Sequence, residues 1–295
     1  MLTSEELLSK IKRIQIKTDR LASEILSGEY KSAFRGYGLN FDSIREYQVG
    51  DDIRTLDWKV TARMQEPFVR IYKEERQLSM MLVLDFSASN NFGTQEQNKK
   101  ELIIEFAAVL ASIAIKSNDK VGMMIITDQI ELYVPPKQGK AHIFKLIKDL
   151  LEFEPISRKT NLKGALAEAS KMIPRHSVIF VISDFIDKKE FDLASEIKFL
   201  KTGRDLIAVS VRDPAEFDLP NIGLIEIVDP ETGKKQLANL NRKSIRNKFA
   251  NFQSKYLDEV KDKFRKLGVD FLDLLTGESY VHKLLRLFLS RERRN

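Results

Sequence analysis

From residue 78 onward, short apolar runs alternate with segments whose apolar residues recur every three or four positions. The runs are 79–84 (SMMLVL), 121–126 (VGMMII), 177–182 (SVIFVI), 205–211 (DLIAVSV), 223–228 (GLIEIV) and 269–275 (VDFLDLL). Between and after them, helical periodicity covers 98–116, 141–152, 162–173, 188–200, 241–266 and 279–292. A strand that is apolar at successive positions has both faces buried, and strands separated by helices pair in parallel. The pattern therefore predicts a doubly wound α/β fold: a mostly parallel sheet with helices on both faces. IELYV at 130–134 is placed to pair with 121–126. In such sheets ligands gather beyond the carboxyl ends of the strands, where the strand order reverses.

Upstream the pattern differs. Residues 4–27 form an amphipathic helix, with Leu7, Leu8, Ile11, Ile14, Leu21 and Ile25 at helical spacing and Gly28 as its stop. Residues 31–77 are irregular and highly charged, with short strands expected around 67–74. The expected division is 1–77, a helix and a charged segment, and 78–295, the α/β domain.

Composition removes several classes of function. With no cysteine there are no disulfides, thiolate zinc sites or cysteine nucleophiles. His142, His176 and His282 are far apart, and none has a His, Asp or Glu at ligand spacing, which argues against a histidine-based metalloenzyme. No apolar stretch approaches the ~20 residues that span a bilayer. The first residues, MLTSEELLSKIKRIQ, lack an apolar signal region. These features predict a cytoplasmic protein without direct membrane insertion. The net charge of +6 is concentrated at the end, where residues 241–295 carry twice as many Lys and Arg as Asp and Glu. There the basic residues alternate with apolar ones and lack the aromatic interleaving that stacks on bases. A solvated face of a terminal helix is the preferred reading, so no nucleic acid is expected.

The first strand stops abruptly at Asp85, and Ser87 and Ser89 follow at alternate positions. Residues two apart in an extended segment point the same way, so three oxygens can converge. All-oxygen ligation with few charges suits Mg²⁺ or Mn²⁺, with Ca²⁺ a further candidate, rather than zinc. The strand SVIFVI ends in Ser183-Asp184, which puts a second carboxylate at the same edge of the sheet. Thr160 precedes the helix at 162–173, where it can act as an N-cap or offer its hydroxyl to a cation.

Taken together, Asp85-Phe86-Ser87-Ala88-Ser89, Thr160 and Asp184 resemble the metal-ion-dependent adhesion site of von Willebrand factor type A domains. Three further stretches resemble the bacterial domain-of-unknown-function family 58. They are RGYGLNFDSIREYQVGDDIRTLDWKVTARMQEPFVRIYKEER at 35–76, LPNIGLIEIVDPETG at 219–233, and the ending GVDFLDLLTGESYVHKLLRLF. The resemblance implies that Ser87, Ser89 and Thr160 bind the metal directly, that Asp85 and Asp184 act directly or through water, and that one position stays open for a partner's Asp or Glu carboxylate. It also implies a non-enzymatic adaptor that works with a MoxR-type AAA+ ATPase, or with other type A proteins, in protein maturation or remodelling. This chain has no Walker motif of its own. It departs from the family at Lys159, which stands before Thr160 where a glycine is usual.

A second constellation lies within 45–63: Arg45, Glu46, Asp51, Asp52, Arg54, Asp57, Trp58 and Arg63. It reads either as a salt-bridged structural unit or as a docking surface, for which Trp58 and Arg63, with Arg45 and Asp57, would be the anchors. The GYG at 36–38 lacks the Gly-Lys-Ser/Thr ending of a phosphate loop. Two other functions remain open. One is a Mg²⁺-dependent phosphohydrolase with Asp85 as nucleophile, although Ser87 occupies the place of that class's second carboxylate. The other is nucleic-acid binding through the basic C-terminal region.

Overall fold

The computed structural model describes residues 14, 16–25, 40–73, 77–157, 159–186, 193–228 and 235–294. Contacts divide these into two units: the described residues up to 25 and from 79 on, and those within 34–78.

The larger unit is built on a six-stranded sheet. Its strands are β3 (Ser79–Asp85), β4 (Lys120–Ile126), β5 (Ile130–Lys137), β6 (Ser177–Ser183), β7 (Asp205–Arg212) and β10 (Asp270–Leu275), in the order β10-β7-β6-β3-β4-β5. In chain order this is the 3-2-1-4-5-6 arrangement of a doubly wound sheet. IELYV pairs with 121–126 as expected, and this β4–β5 pairing is antiparallel, whereas all the others are parallel. The centre of the sheet is dry: all seven residues of β6 are buried, as are six of seven in β3 and in β4.

Helices cover both faces. Met81, Val83, Ile179 and Val181 pack against α5 (Leu162–Met172), α6 (Ala194–Lys201) and α7 (Lys243–Lys266), through Leu166, Ile197, Val260 and Phe264. Strand alternation points Met80, Leu82 and Leu84 to the other face. Against the sheet on that side lies α3 (Lys99–Lys116), buried along most of its length, with α4 (Lys140–Glu152) beside it through Ile143 and Ile147. Each fully buried Leu, Ile or Phe adds about 1.5–3 kcal/mol relative to exposure, so this two-sided core dominates the stability. Helix α1 (residues 16–25) rests on α3, where Ser112 Oγ donates to Thr18 Oγ1 at 3.4 Å and Lys116 Nζ donates to Ser23 Oγ at 2.6 Å. The remainder of the expected 4–27 helix lies outside the described residues.

The run at 223–228 is a strand but not part of the main sheet. Among the described residues, Leu224–Val228 (β8) pairs with Lys235–Asn239 (β9) alone, as a two-stranded antiparallel sheet. Glu226 in mid-strand is incompatible with burial on both faces, and the strand is mostly exposed. The closing helix α8 (Val281–Glu292) buries Val281, Leu284, Leu287 and Phe288. Its basic end is tied to the sheet: Arg291 pairs with Asp205 and Asp270, and Arg294 Nη2 donates to Asp270 Oδ1 at 2.8 Å.

The smaller unit holds an antiparallel pair, β1 (Asn40–Glu46) and β2 (Phe68–Lys73), with the short helix α2 (Trp58–Met64) between them. Asp57 caps α2 by accepting from the amides of Lys59 (3.0 Å) and Val60 (3.2 Å). Arg45 grips Asp51 with two hydrogen bonds of 2.7 Å, and Gly50, at φ 112°, makes the turn that allows it. Gly36 and Gly38 lie outside the described residues.

Candidate metal centre

β3 and β6 are the adjacent central strands at which the winding of the sheet reverses, so their carboxyl ends form the switch point. Asp85 ends β3, and Ser183-Asp184 ends β6. Asp85 is 1% exposed and Asp184 is 4% exposed. Ser183 Oγ donates to Asp85 Oδ2 at 2.6 Å, and the Ser87 amide donates to Asp85 Oδ1 at 2.9 Å. Ser87 Oγ and Ser89 Oγ lie 3.2 Å apart. The two hydroxyls do converge, but not because the strand continues. β3 ends at Asp85, Ser87 stands at an N-cap position, and Ala88–Asn91 form a 3-10 turn that brings Ser89 back toward Ser87.

Thr160 does not cap the helix that follows it. That role falls to Asn161, whose side chain accepts from the Gly164 amide at 3.0 Å. The backbone around Thr160 is fixed at the same edge of the sheet, because the Asn161 amide donates to Thr127 O, just past the end of β4, at 3.4 Å. Asp85, Ser87, Ser89 and Asp184 are thus gathered at the ends of two neighbouring strands, and Thr160 sits over the end of a third.

Two residues that the sequence did not reveal join them. Lys99, 1% exposed in the first turn of α3, donates to Asp184 Oδ2 at 3.0 Å and to Glu216 Oε1 at 2.7 Å. Glu216 belongs to a short turn capped by Asp213, which itself accepts from the Thr94 amide, Thr94 Oγ1 and Thr276 Oγ1. Lys99 carried one sequence signal: a lysine in the first helical turn opposes the helix dipole and needs a reason to be there. Nothing local pointed to Glu216, which is 117 residues away.

The electrostatics are unbalanced. Asp184 and Glu216 share one buried ammonium, and Asp85 lies beside Asp184 outside that pair. Burial, and then the Asp184 carboxylate, push the Asp85 carboxyl up to about 6, against the opposing pull of Ser183 and Ser87. Glu216 is also raised, by its own burial above all. Beside the cluster, Asn90 Oδ1 is a buried acceptor without a partner. Among the described residues no three His, Cys, Asp or Glu side chains gather as a metal-binding group, so any cation here would depend on hydroxyl oxygens. Converging hydroxyls, an unpartnered amide oxygen and two buried strand-end carboxylates fit a hard divalent cation. A cleft opens next to Asp184, lined also by Glu216, Arg212, Phe217, Tyr256 and Leu257.

The second constellation is placed in the smaller unit. Arg45 and Asp57 are engaged by the ion pair and cap described above, whereas Trp58 is 69% exposed and Arg63 is exposed. His142 makes a structural contact, its Nε2 lying 2.8 Å from Val121 O.

Fold and site together define a doubly wound α/β protein with an oxygen-rich, negatively charged cluster at its switch point. The chain belongs to the family described as protein of unknown function DUF58, which it matches over residues 43–257. An uncharacterized protein of Mycobacterium tuberculosis is 25% identical over 290 residues, 98% of this chain and 90% of that one. The uncharacterized protein YeaD of Bacillus subtilis is 26% identical over 121 residues, 39% of this chain and 28% of its own. Among solved structures, an aerotolerance-related membrane protein from Bacteroides fragilis is similar with a TM-score of 0.49 at 15% identity, over 74% of this chain and all of that one. BatB from Bacteroides thetaiotaomicron is similar with a TM-score of 0.46 at 14% identity, also over 74% of this chain and all of that one. No helix among the described residues is long and apolar enough to cross a membrane.

Proposed function

We propose that this chain is a non-enzymatic, divalent-metal-dependent protein-binding module. The observation that carries the reading is the buried cluster at the switch point, where Ser87 and Ser89 converge beside two strand-end aspartates. Ser87, Ser89 and Thr160 would hold Mg²⁺ or Mn²⁺, with Asp85 and Asp184 supplying charge. A bound cation would offer an open coordination position to a carboxylate. The residues around it do the rest: Ser183 and the Ser87 amide fix the Asp85 carboxylate, and the 3-10 turn after β3 holds the two serine hydroxyls together. The partner is a MoxR-type AAA+ ATPase or another type A protein, contributing an Asp or Glu side chain, and the work is maturation or remodelling of other proteins in the cytoplasm.

Two features weigh toward binding rather than turnover. Asp85 is almost fully buried and both its oxygens accept hydrogen bonds, which suits a phosphohydrolase nucleophile poorly. Arg291 and Arg294 are engaged with Asp205 and Asp270, which leaves the basic terminus less free for phosphates. The test is co-purification with the MoxR-type ATPase of the same organism, in Mg²⁺ and in chelator. Capture in Mg²⁺ that is lost in chelator and in Ser87→Ala/Ser89→Ala is expected. Equal capture in both buffers would move the contact away from the cluster, to surfaces such as that around Trp58.

A further inference from the structure

The cluster contains a cation of its own. Lys99 is fixed by the capped start of α3, where the Asn98 side chain accepts from the Glu101 amide at 2.8 Å and Glu101 reaches back to the Asn98 amide at 3.2 Å. Its stem is enclosed, so the ammonium cannot reach water without moving the helix start. It lies between a carboxylate at the end of β6 and one in the turn after β7. Buried ion pairs of this kind recover little net stability, because desolvation consumes most of the attraction. A plain apolar contact would serve packing as well. The geometry instead matters for any second cation, which would share Asp184 with Lys99.

We propose that Lys99 sets the charge of this site: its ammonium holds part of the Asp184 carboxylate, keeps divalent-metal affinity down, and leaves a bound cation dependent on a further ligand from a partner. This rests on the metal reading above and deepens it. Without Lys99, Asp184 would present its full negative charge to a metal; with it, part of that charge is already engaged. At the short distances of this cluster, one unit charge changes cation affinity by an order of magnitude or more, even at the effective dielectric of a protein edge. The same ammonium links Asp184 to Glu216, and through the Asp213 cap to Thr94 and Thr276, so metal loading is tied to the position of the turn at 214–216.

The experiment is calorimetric titration of Mg²⁺, with Mn²⁺ as a second probe, into the chelator-treated full chain and two variants. Lys99→Met should bind at least about tenfold tighter than the wild type. Glu216→Gln, which removes one negative charge and leaves the ammonium to Asp184, should bind more weakly. A structural role alone would not tighten binding on removal of the lysine. Affinity of Lys99→Met equal to or below the wild type, with its fold intact by circular dichroism, would overturn the proposal. If Lys99→Met fails to fold, Glu216→Gln decides, and unchanged or tighter Mg²⁺ binding there overturns it. A wild type that binds no Mg²⁺ beside a Lys99→Met variant that does would leave Lys99 as the resident cation and remove the metal-bridge reading. Silence in all three proteins would remove both.

Discussion

Asp85→Asn should make the metal-free protein more stable at pH 7.5. The carboxyl is buried, lies near Asp184 and is pushed up to about 6, so its ionised form is disfavoured in the folded state. A folded pKa above the ordinary carboxylate value means the native state binds the proton more tightly than the unfolded chain does. Stability from this group is therefore lost as pH rises through about 4 to about 6, and the full penalty persists above that. Two pKa units correspond to about 3 kcal/mol, so a gain of about 1–3 kcal/mol is expected in chelator at pH 7.5. The gain should fall to about half near pH 5 and largely vanish near pH 4. Asparagine can still accept from the Ser87 amide, whereas the Ser183 hydroxyl loses its carboxylate acceptor, which sets the lower end of the expected gain. Urea unfolding of both proteins across this pH range measures the effect. A variant less stable than the wild type at pH 7.5 would mean that the carboxylate is fully compensated within the fold. Functional groups held against stability in this way are common at sites that await a ligand.

Asp184→Ala should do the opposite. Asp184 pairs with the 1% exposed Lys99, and removing it leaves a buried ammonium with Glu216 alone. Breaking a buried pair from one side costs about 3 kcal/mol or more, because the surviving charge stays desolvated. The Ile186 amide also loses its acceptor at 3.1 Å. The double variant Lys99→Met/Asp184→Ala should recover part of the loss, since no ammonium is then stranded and only the Glu216 carboxylate is left without its partner. The midpoint of urea unfolding, compared among the single and double variants, reads this directly. A loss below about 1 kcal/mol in Asp184→Ala would show that Glu216 satisfies Lys99 unaided.

The contrast between these aspartates marks the limit of what the sequence could say. Both stand at the carboxyl ends of apolar runs, and period-two and period-3.6 patterns were enough to place those runs in a parallel sheet. Local spacing placed Asp85 and Asp184 at strand ends and paired 130–134 with 121–126; Ser87 and Ser89 meet through a 3-10 turn that alternate spacing did not indicate. The elements that escaped lack a strong apolar period. NFDSIRE (β1) and KQLAN (β9) are mixed or exposed strands, and Glu226 kept the neighbouring run out of the main sheet. Thr160 looked like a helix cap, yet Asn161, one position later, makes the cap bond. Lys99 and Glu216 meet only through long-range packing, so the ion pair that separates the behaviour of Asp184 from that of Asp85 could not be seen from spacing alone.

The central claim is that this cluster binds a divalent cation through serine hydroxyls. Titrating Mg²⁺ and Mn²⁺ into chelator-treated wild type, beside Ser87→Ala/Ser89→Ala, tests it most directly. Saturable heat in the wild type that disappears in the double variant is the predicted result. Saturable binding that survives loss of both hydroxyls, or no binding in the wild type, would contradict it.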